Sequence, residues 1–205
     1  MGNIIFIVAI VLLLLSGFFD LIDWKFNAVA IVIVVLLWPV AVYNGLIRLR
    51  NRAKEAMSDI DVQTKRRYDL IPNLVESVKG YMSHERGVFE KVTEARTRAM
   101  NAGTGKEKLA AENVLSGALK TLFAVSENYP QLRANENFLH LQQELTDTED
   151  KIQAARRFYN GNVRDLNTAI QVFPTNLIAD TFGFGQMEFF ETENDAERQP
   201  VKVSF

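Results

Sequence analysis

The sequence predicts an all-α protein in which N-terminal transmembrane helices are followed by an antiparallel bundle of long helices. Two observations carry this. Residues 1–47 hold only Asp20, Asp23 and Lys25 as charged side chains, so nearly all the charge lies beyond Ile47. Past that point apolar residues recur at three- and four-residue intervals, the period of one helix face, and strand signals are scarce. The division that follows is a membrane anchor over 1–47, with spans at about 4–22 and 26–47. A helical bundle over 48–190 and an acidic tail over 191–205 complete the chain.

The first apolar run, Ile4 to Phe19, is about 16 residues, at the short end for a bilayer span. The second, Phe26 to Ile47, is about 22 residues and covers roughly 33 Å as a helix, against a hydrocarbon core of about 30 Å. Trp24, Trp38 and Tyr43 suit interfacial depth, and Pro39 is tolerable in a membrane helix. The first run does not read as a cleaved signal, because Met1-Gly2-Asn3 carries no basic side chain and Ser16-Gly17-Phe18-Phe19 is a poor cleavage site. Phe6 breaks the myristoylation pattern. Arg48, Arg50, Arg52 and Lys54 follow the second run, whereas the connector between the runs is acidic. The positive-inside rule therefore places the long domain in the cytoplasm. Two spans is the expectation; with one, the first run lies in the interface or the outer leaflet.

About 158 residues remain beyond the anchor, enough to bury a core. No Pro or Gly interrupts Leu46 to Ile71, so the second membrane helix is expected to run on to the Ile71-Pro72 step. A new helix from Pro72 carries Leu74, Val75, Val78, Tyr81, Met82, Phe89, Val92 and Ala95. Residues 101–105 read as a turn, and the next helix spans about Lys106 to Glu127, stopped by Asn128-Tyr129-Pro130. The clearest helix runs from about Asn135 to Val172, its stripe passing from Phe138 through Leu145, Ile152, Tyr159 and Leu166 to Phe173. A stripe roughly 57 Å long needs long partners, which the two preceding segments supply. Phe173-Pro174 ends it, and residues 176–190, with Phe182, Phe184, Phe189 and Phe190, are expected to cap the bundle as a short helix and loop. The tail from Glu191 reads as exposed or disordered.

Composition excludes several functions. The chain of 205 residues has no cysteine, which removes disulfides, thiolate metal sites, a cysteine nucleophile and a lipoprotein anchor. A formal charge of −2 argues against a nucleic-acid binder. Ser83-His84-Glu85 resembles a relay as text, but neighbours on a helix point about 100° apart. Glu136, His140 and Glu144 share a helix face, yet nothing repeats the paired Glu-x-x-His of carboxylate-bridged metal bundles; a solvated ion-pair stripe is expected. Gly103-Thr104-Gly105-Lys106 lacks the upstream Gly and the hydroxyl residue of a phosphate loop, and Gly183-x-Gly185 lacks a third glycine. No catalytic, cofactor-binding or metal-binding residue and no cofactor are therefore expected. Arg48, Arg50 and Arg52 are placed to contact anionic lipid headgroups, each worth about 1 kcal/mol near the surface. Lys65, Arg66 and Arg67 lie too far along the helix for that, and are assigned to an ion-paired bundle surface or a protein partner.

Tyr43-Asn44-Gly45-Leu46, Leu49 to Ala56 (LRNRAKEA), Asp59 to Gln63 (DIDVQ) and Lys65 to Val75 (KRRYDLIPNLV) resemble the LemA family of bacterial membrane proteins. Val78-Lys79-Gly80-Tyr81, His84-Glu85, Thr93 to Arg96, Arg157 to Asn160 and Phe173-Pro174 extend the resemblance, which covers about residues 40–190. It implies a membrane helix, a cytoplasmic helical bundle and no enzymatic activity. The family's usual form has one span before the Tyr-Asn motif and an external N-terminus; here a second apolar run precedes it.

The expectation is a non-enzymatic scaffold or adaptor of the bacterial inner membrane, its bundle cytoplasmic and in contact with other membrane proteins. Membrane-protein quality control is a process it would serve, and homo-oligomerisation through the long helices is expected. The alternative is a membrane-bound hydrolase or metal-dependent enzyme using His84, His140 and nearby carboxylates. A receptor role is disfavoured, because the external loop of about six residues is too small for much ligand recognition.

Overall fold

The computed structural model describes residues 2–18, 23–82, 84–103 and 106–190. These form helices α1 (Gly2–Phe18), α2 (Trp24–Lys79), α3 (Arg86–Asn101), α4 (Lys106–Ser126), α5 (Pro130–Arg133), α6 (Glu136–Gln171) and α7 (Thr175–Thr181), with no strand among the described residues. The all-α class is as expected. The acidic tail, most of the connector between the apolar runs, Ser83 and the Thr104-Gly105 turn lie outside the described residues, as do the details of the Trp24 side chain.

The expected break at Pro72 does not occur. α2 passes through both Pro39 and Pro72 and ends only at Lys79. A proline removes one helical hydrogen bond and crowds the carbonyl four residues back, a cost of about 3 kcal/mol. Around Pro72 that cost is outweighed by Ile71, Leu74, Val75 and Val78, all buried. Burying each such side chain contributes about 1.5–3 kcal/mol. Pro72 itself is exposed. The chain leaves the helix where Gly80 follows, the amides of Tyr81 and Met82 both donating to Val78 O at 3.0 Å. The helix expected over 72–100 is thus two pieces, the first belonging to α2 and the second starting at Arg86 after a link.

The remaining boundaries follow local chemistry. α4 ends within a residue of expectation, and Tyr129-Pro130 then starts the single turn α5, with Pro in the first turn where its missing N–H costs nothing. Asn135 Oδ1 accepts from the Phe138 amide at 3.0 Å, capping α6. A cis Phe173-Pro174 peptide separates α6 from α7. Gly183 adopts φ +67°, and the Phe184 amide reaches back to Ala179 O at 2.9 Å, a left-handed stop that glycine makes without strain.

The chain divides into two packing units, residues 1–55 with 160–187 and residues 56–159 with 188–205; α2 and α6 contribute to both. In the first, Val42 and Leu46 of α2 form a core with Leu166, Ile170, Ala179 and Phe184. Tyr43 lies 4.9 Å from the Phe182 ring and 5.7 Å, edge-on, from Phe184, with the Arg50 guanidinium 5.1 Å over Phe184. Asn167 holds the segment after α7 by two bonds to Met187, Nδ2 donating to its carbonyl at 2.8 Å and Oδ1 accepting from its amide at 2.9 Å. The short helix and loop expected after Pro174 thus pack on α2 and α6. Ser16 Oγ, on α1, lies 3.0 Å from Oδ1 of the buried Asn27 on α2. α2 is the one described helix long and apolar enough to cross a membrane, and Val29, Val32, Ile33, Val35, Leu36, Leu37 and Val40 along it are exposed.

The second unit buries Ile71, Leu74, Val78 and Met82 of α2 and its link against Val92 and Ala99 of α3, Leu115 and Leu122 of α4, and Phe138 and Leu145 of α6. α3 and α4 lie side by side, joined by the short segment after Asn101. Because α2 is continuous at Pro72, Pro72→Ala restores a backbone donor without a new steric demand. We expect this variant to keep its helical content and gain about 1–2 kcal/mol in denaturant unfolding of the detergent-solubilised protein.

Candidate functional site

Three charged residues stand in phase with apolar stripes. On α2, Arg67 falls in the series Ile60, Thr64, Arg67, Ile71, Leu74, Val78; on α4, Glu112 falls among Leu109, Leu115, Leu119 and Leu122. On α6, Arg156 lies between Ile152 and Tyr159. Helical spacing therefore turns all three inward. Arg67 is 1% exposed and Glu112 1%, and Arg67 Nη2 pairs with Glu112 Oε2. Arg67 Nη1 pairs with Glu149 Oε2 and donates to Ser116 Oγ at 3.0 Å. The Tyr68 hydroxyl donates to Glu112 Oε1. Lys108 Nζ donates to Ala99 O at 3.1 Å in the last turn of α3, where unpaired carbonyls favour a cation, and sits 5.4 Å over the Tyr68 ring.

Arg156 is also buried, its guanidinium 4.9 Å over the Phe190 ring. Tyr159 meets Phe190 edge-on at 6.3 Å and donates to Glu188 O at 2.9 Å. Burial lowers the pKa of both arginines. For Arg67 this is countered chiefly by Glu149; for Arg156 the nearby Arg67 charge adds to the lowering and Glu149 opposes it. Both stay protonated, as arginine does in proteins. Two guanidinium groups thus face two carboxylates. Arg67 Nε and Arg156 Nε have no hydrogen-bond partner among the described residues.

A cavity of about 190 Å³ opens beside this cluster, with Arg67, Ser116 and Glu149 as its polar side and Leu119, Phe123 and Leu145 as apolar walls. Small-molecule sites usually occupy about 300–1,000 Å³, so this space suits water or a small ion rather than an organic substrate. On its polar side the Ser116 hydroxyl donates to Glu149 Oε2 at 3.3 Å. The arrangement can hold charges in register.

Arg67 is a correction to the sequence reading, which assigned it to the bundle surface. Lys65 and Arg66 do lie there, pairing with Asp69 at 2.7 Å and Glu144 at 3.3 Å. His84 is a second correction. It stands exposed in the link between α2 and α3, not on a helix, so the argument from helical spacing does not apply to it. Its neighbour Glu85 accepts from the Tyr129 hydroxyl at 3.2 Å. His140 and Glu136 are exposed on α6, while Glu144 is taken by Arg66. Among the described residues no three His, Asp or Glu side chains are placed to hold a metal ion. Arg48 and Arg52 are exposed, whereas Arg50 is half-buried against Phe184. The signal that finds the buried cluster is phase: a charge at a stripe position on each of three helices.

These features define an all-helical, membrane-associated protein with one helix shared between an apolar segment and a bundle. The LemA family model matches residues 56–205, and the chain belongs to the LemA family. The match takes in Arg67, Tyr68, Glu112, Glu149 and Arg156. Protein LemA of Metamycoplasma hominis is 30% identical over 165 residues, covering 78% of this chain and 74% of that protein. Magnetosome protein MamQ of Magnetospirillum gryphiswaldense is 25% identical over 185 residues, covering 78% and 68%. Magnetosome protein MamQ 2 of Paramagnetospirillum magneticum is 26% identical over 185 residues.

Two outcomes follow from the cluster. Arg67→Met leaves Glu112 buried without its cation and is expected to cost about 3–5 kcal/mol, whereas Arg67→Met with Glu112→Leu recovers most of that loss; chemical unfolding of both proteins measures it. The pKa of Tyr159 is raised from 10.0, first by burial and then by the Glu188 charge. A raised value means the stability it contributes is present below about pH 10 and is lost as pH rises through the folded value. Melting temperature against pH is therefore expected to fall on the alkaline side, and less steeply in Tyr159→Phe.

Proposed function

We propose that the protein is a non-enzymatic scaffold or adaptor of the bacterial inner membrane, anchored by α1 and α2, with its helical bundle in the cytoplasm and in contact with other membrane proteins. The observation that carries this reading is the continuity of α2 from Trp24 to Lys79. The same helix supplies an exposed apolar surface in its first half and core residues of the bundle in its second. Arg48, Arg52 and Lys54 are exposed just past the apolar stretch, as cytoplasmic retention requires, and Arg48 and Arg52 are free to meet anionic headgroups. The buried Arg67 and Glu112 are paired with each other, which favours a structural use over a catalytic one. Val62, Phe158 and Leu139 are large, apolar and exposed, and supply candidate contact points for partners or a second copy. Quality control of membrane proteins is a process such an adaptor would serve.

Photo-crosslinking residues placed at Val62, Leu139 and Phe158 in intact membranes test this reading. Discrete adducts with other integral membrane proteins are expected, and adducts with a second copy would add the homo-oligomer. Adducts with neither would sink the adaptor proposal.

A further inference from the structure

We propose that the end of α6 and α7 form a foot that rests in the headgroup region of the bilayer, beside the point where α2 leaves it. This rests on reading α2 as a membrane span. In its apolar stretch the exposed large side chains of α2 run from Phe26 to Val40; beyond them Val42 and Leu46, on one face, pack with Leu166, Ile170, Ala179 and Phe184. On that face the stretch left for lipid, residues 26–41, is about 24 Å long at 1.5 Å per residue, several ångströms short of a hydrocarbon core of about 30 Å. α7 packs on α2 at the level where that shortfall falls.

At this level the protein turns several large apolar side chains outward. Phe173 is 78% exposed, Phe182 58%, Leu177 53% and Val172 45%, a concentration that water does not favour. Phe182 lies against Tyr43, and Trp38 packs on the same core, so aromatic rings gather where interfacial rings settle. Phe173 and Leu177 are four residues apart, while Asp180 and Thr181, also exposed, give α7 a polar portion. That mixture suits headgroup depth and excludes full immersion. Arg48 and Arg52, exposed on α2 beyond this level, are placed for the phosphates. The foot continues the apolar surface of α2 on the face that Val42 and Leu46 give up to packing.

The chain has no cysteine, so single labels report cleanly. The full-length variants Phe173→Cys, Leu177→Cys, Leu37→Cys and Asn113→Cys, each spin-labelled, are placed in nanodiscs of phosphatidylethanolamine and phosphatidylglycerol. Collisions with oxygen, which favours lipid, are compared with those of a water-soluble nickel chelate. Positions 173 and 177 are expected to favour oxygen several-fold over position 113, approaching position 37. Nickel accessibility at 173 and 177 equal to that at 113, with 37 still lipid-exposed, overturns the foot and leaves the span. Nickel accessibility at 37 overturns the span reading and the foot with it. Spin–spin broadening at 173 assigns the patch to a second copy and overturns the bilayer as its occupant.

Discussion

The pairing of Arg67 with Glu112, inside the second packing unit, constrains the helices around it more tightly than any apolar contact does. Each charge taken out of water costs several kcal/mol, and their attraction offsets this only when geometry and further hydrogen bonds are right. Here Glu149 and Ser116 complete Arg67 on one side, and the Tyr68 hydroxyl completes Glu112 on the other. The partners come from α2, α4 and α6. A slip of one turn moves a side chain about 5.4 Å along its helix, beyond any hydrogen bond. Apolar stripes tolerate such a slip, because leucine at one position resembles leucine a turn away. The ion pair does not, and it fixes the register that the apolar contacts then fill.

The first unit solves a different problem. A helix that is apolar on all sides needs lipid or protein around every turn, and Val42 and Leu46 receive protein. The cover is built from the end of α6, α7 and the segment after Gly183, with Asn167 gripping the Met187 backbone to hold that segment down. Arg50 joins by laying its guanidinium over the Phe184 ring. Alternate arginines of one basic run therefore do different work. Arg50 closes the packing, and Arg48 and Arg52 stay exposed.

Much of this was legible in the sequence. The limits of α4 and α6 could be read from stripes and from Asn, Pro and Gly signals, since those act within a few residues. Pro72 was misread because a proline signal is also local, whereas the burial of Ile71, Leu74, Val75 and Val78 that overrides it depends on distant helices. Arg67 was misread for the same reason. Its partners stand 45 and 82 positions away, at Glu112 and Glu149, and a run of three basic residues looks like a solvated face until those partners are known. The phase of Arg67 with Ile60, Thr64, Ile71 and Leu74 was present in the sequence, but phase alone does not show that a counter-charge is waiting.

The same cluster bears on chemistry as well as register. A catalytic group needs a partner to tune it and an open space in which to act. Arg67, Glu112 and Tyr68 have partners but little access; Glu149 alone faces the neighbouring cavity with appreciable exposure, its side chain 35% accessible. That carboxylate accepts from both Arg67 Nη1 and Ser116 Oγ. His84 and His140 stand on exposed positions outside the cluster. Buried polarity in this bundle is thus directed at itself, and what the protein turns outward is largely helix surface, basic near the apolar stretch and dotted with large apolar side chains.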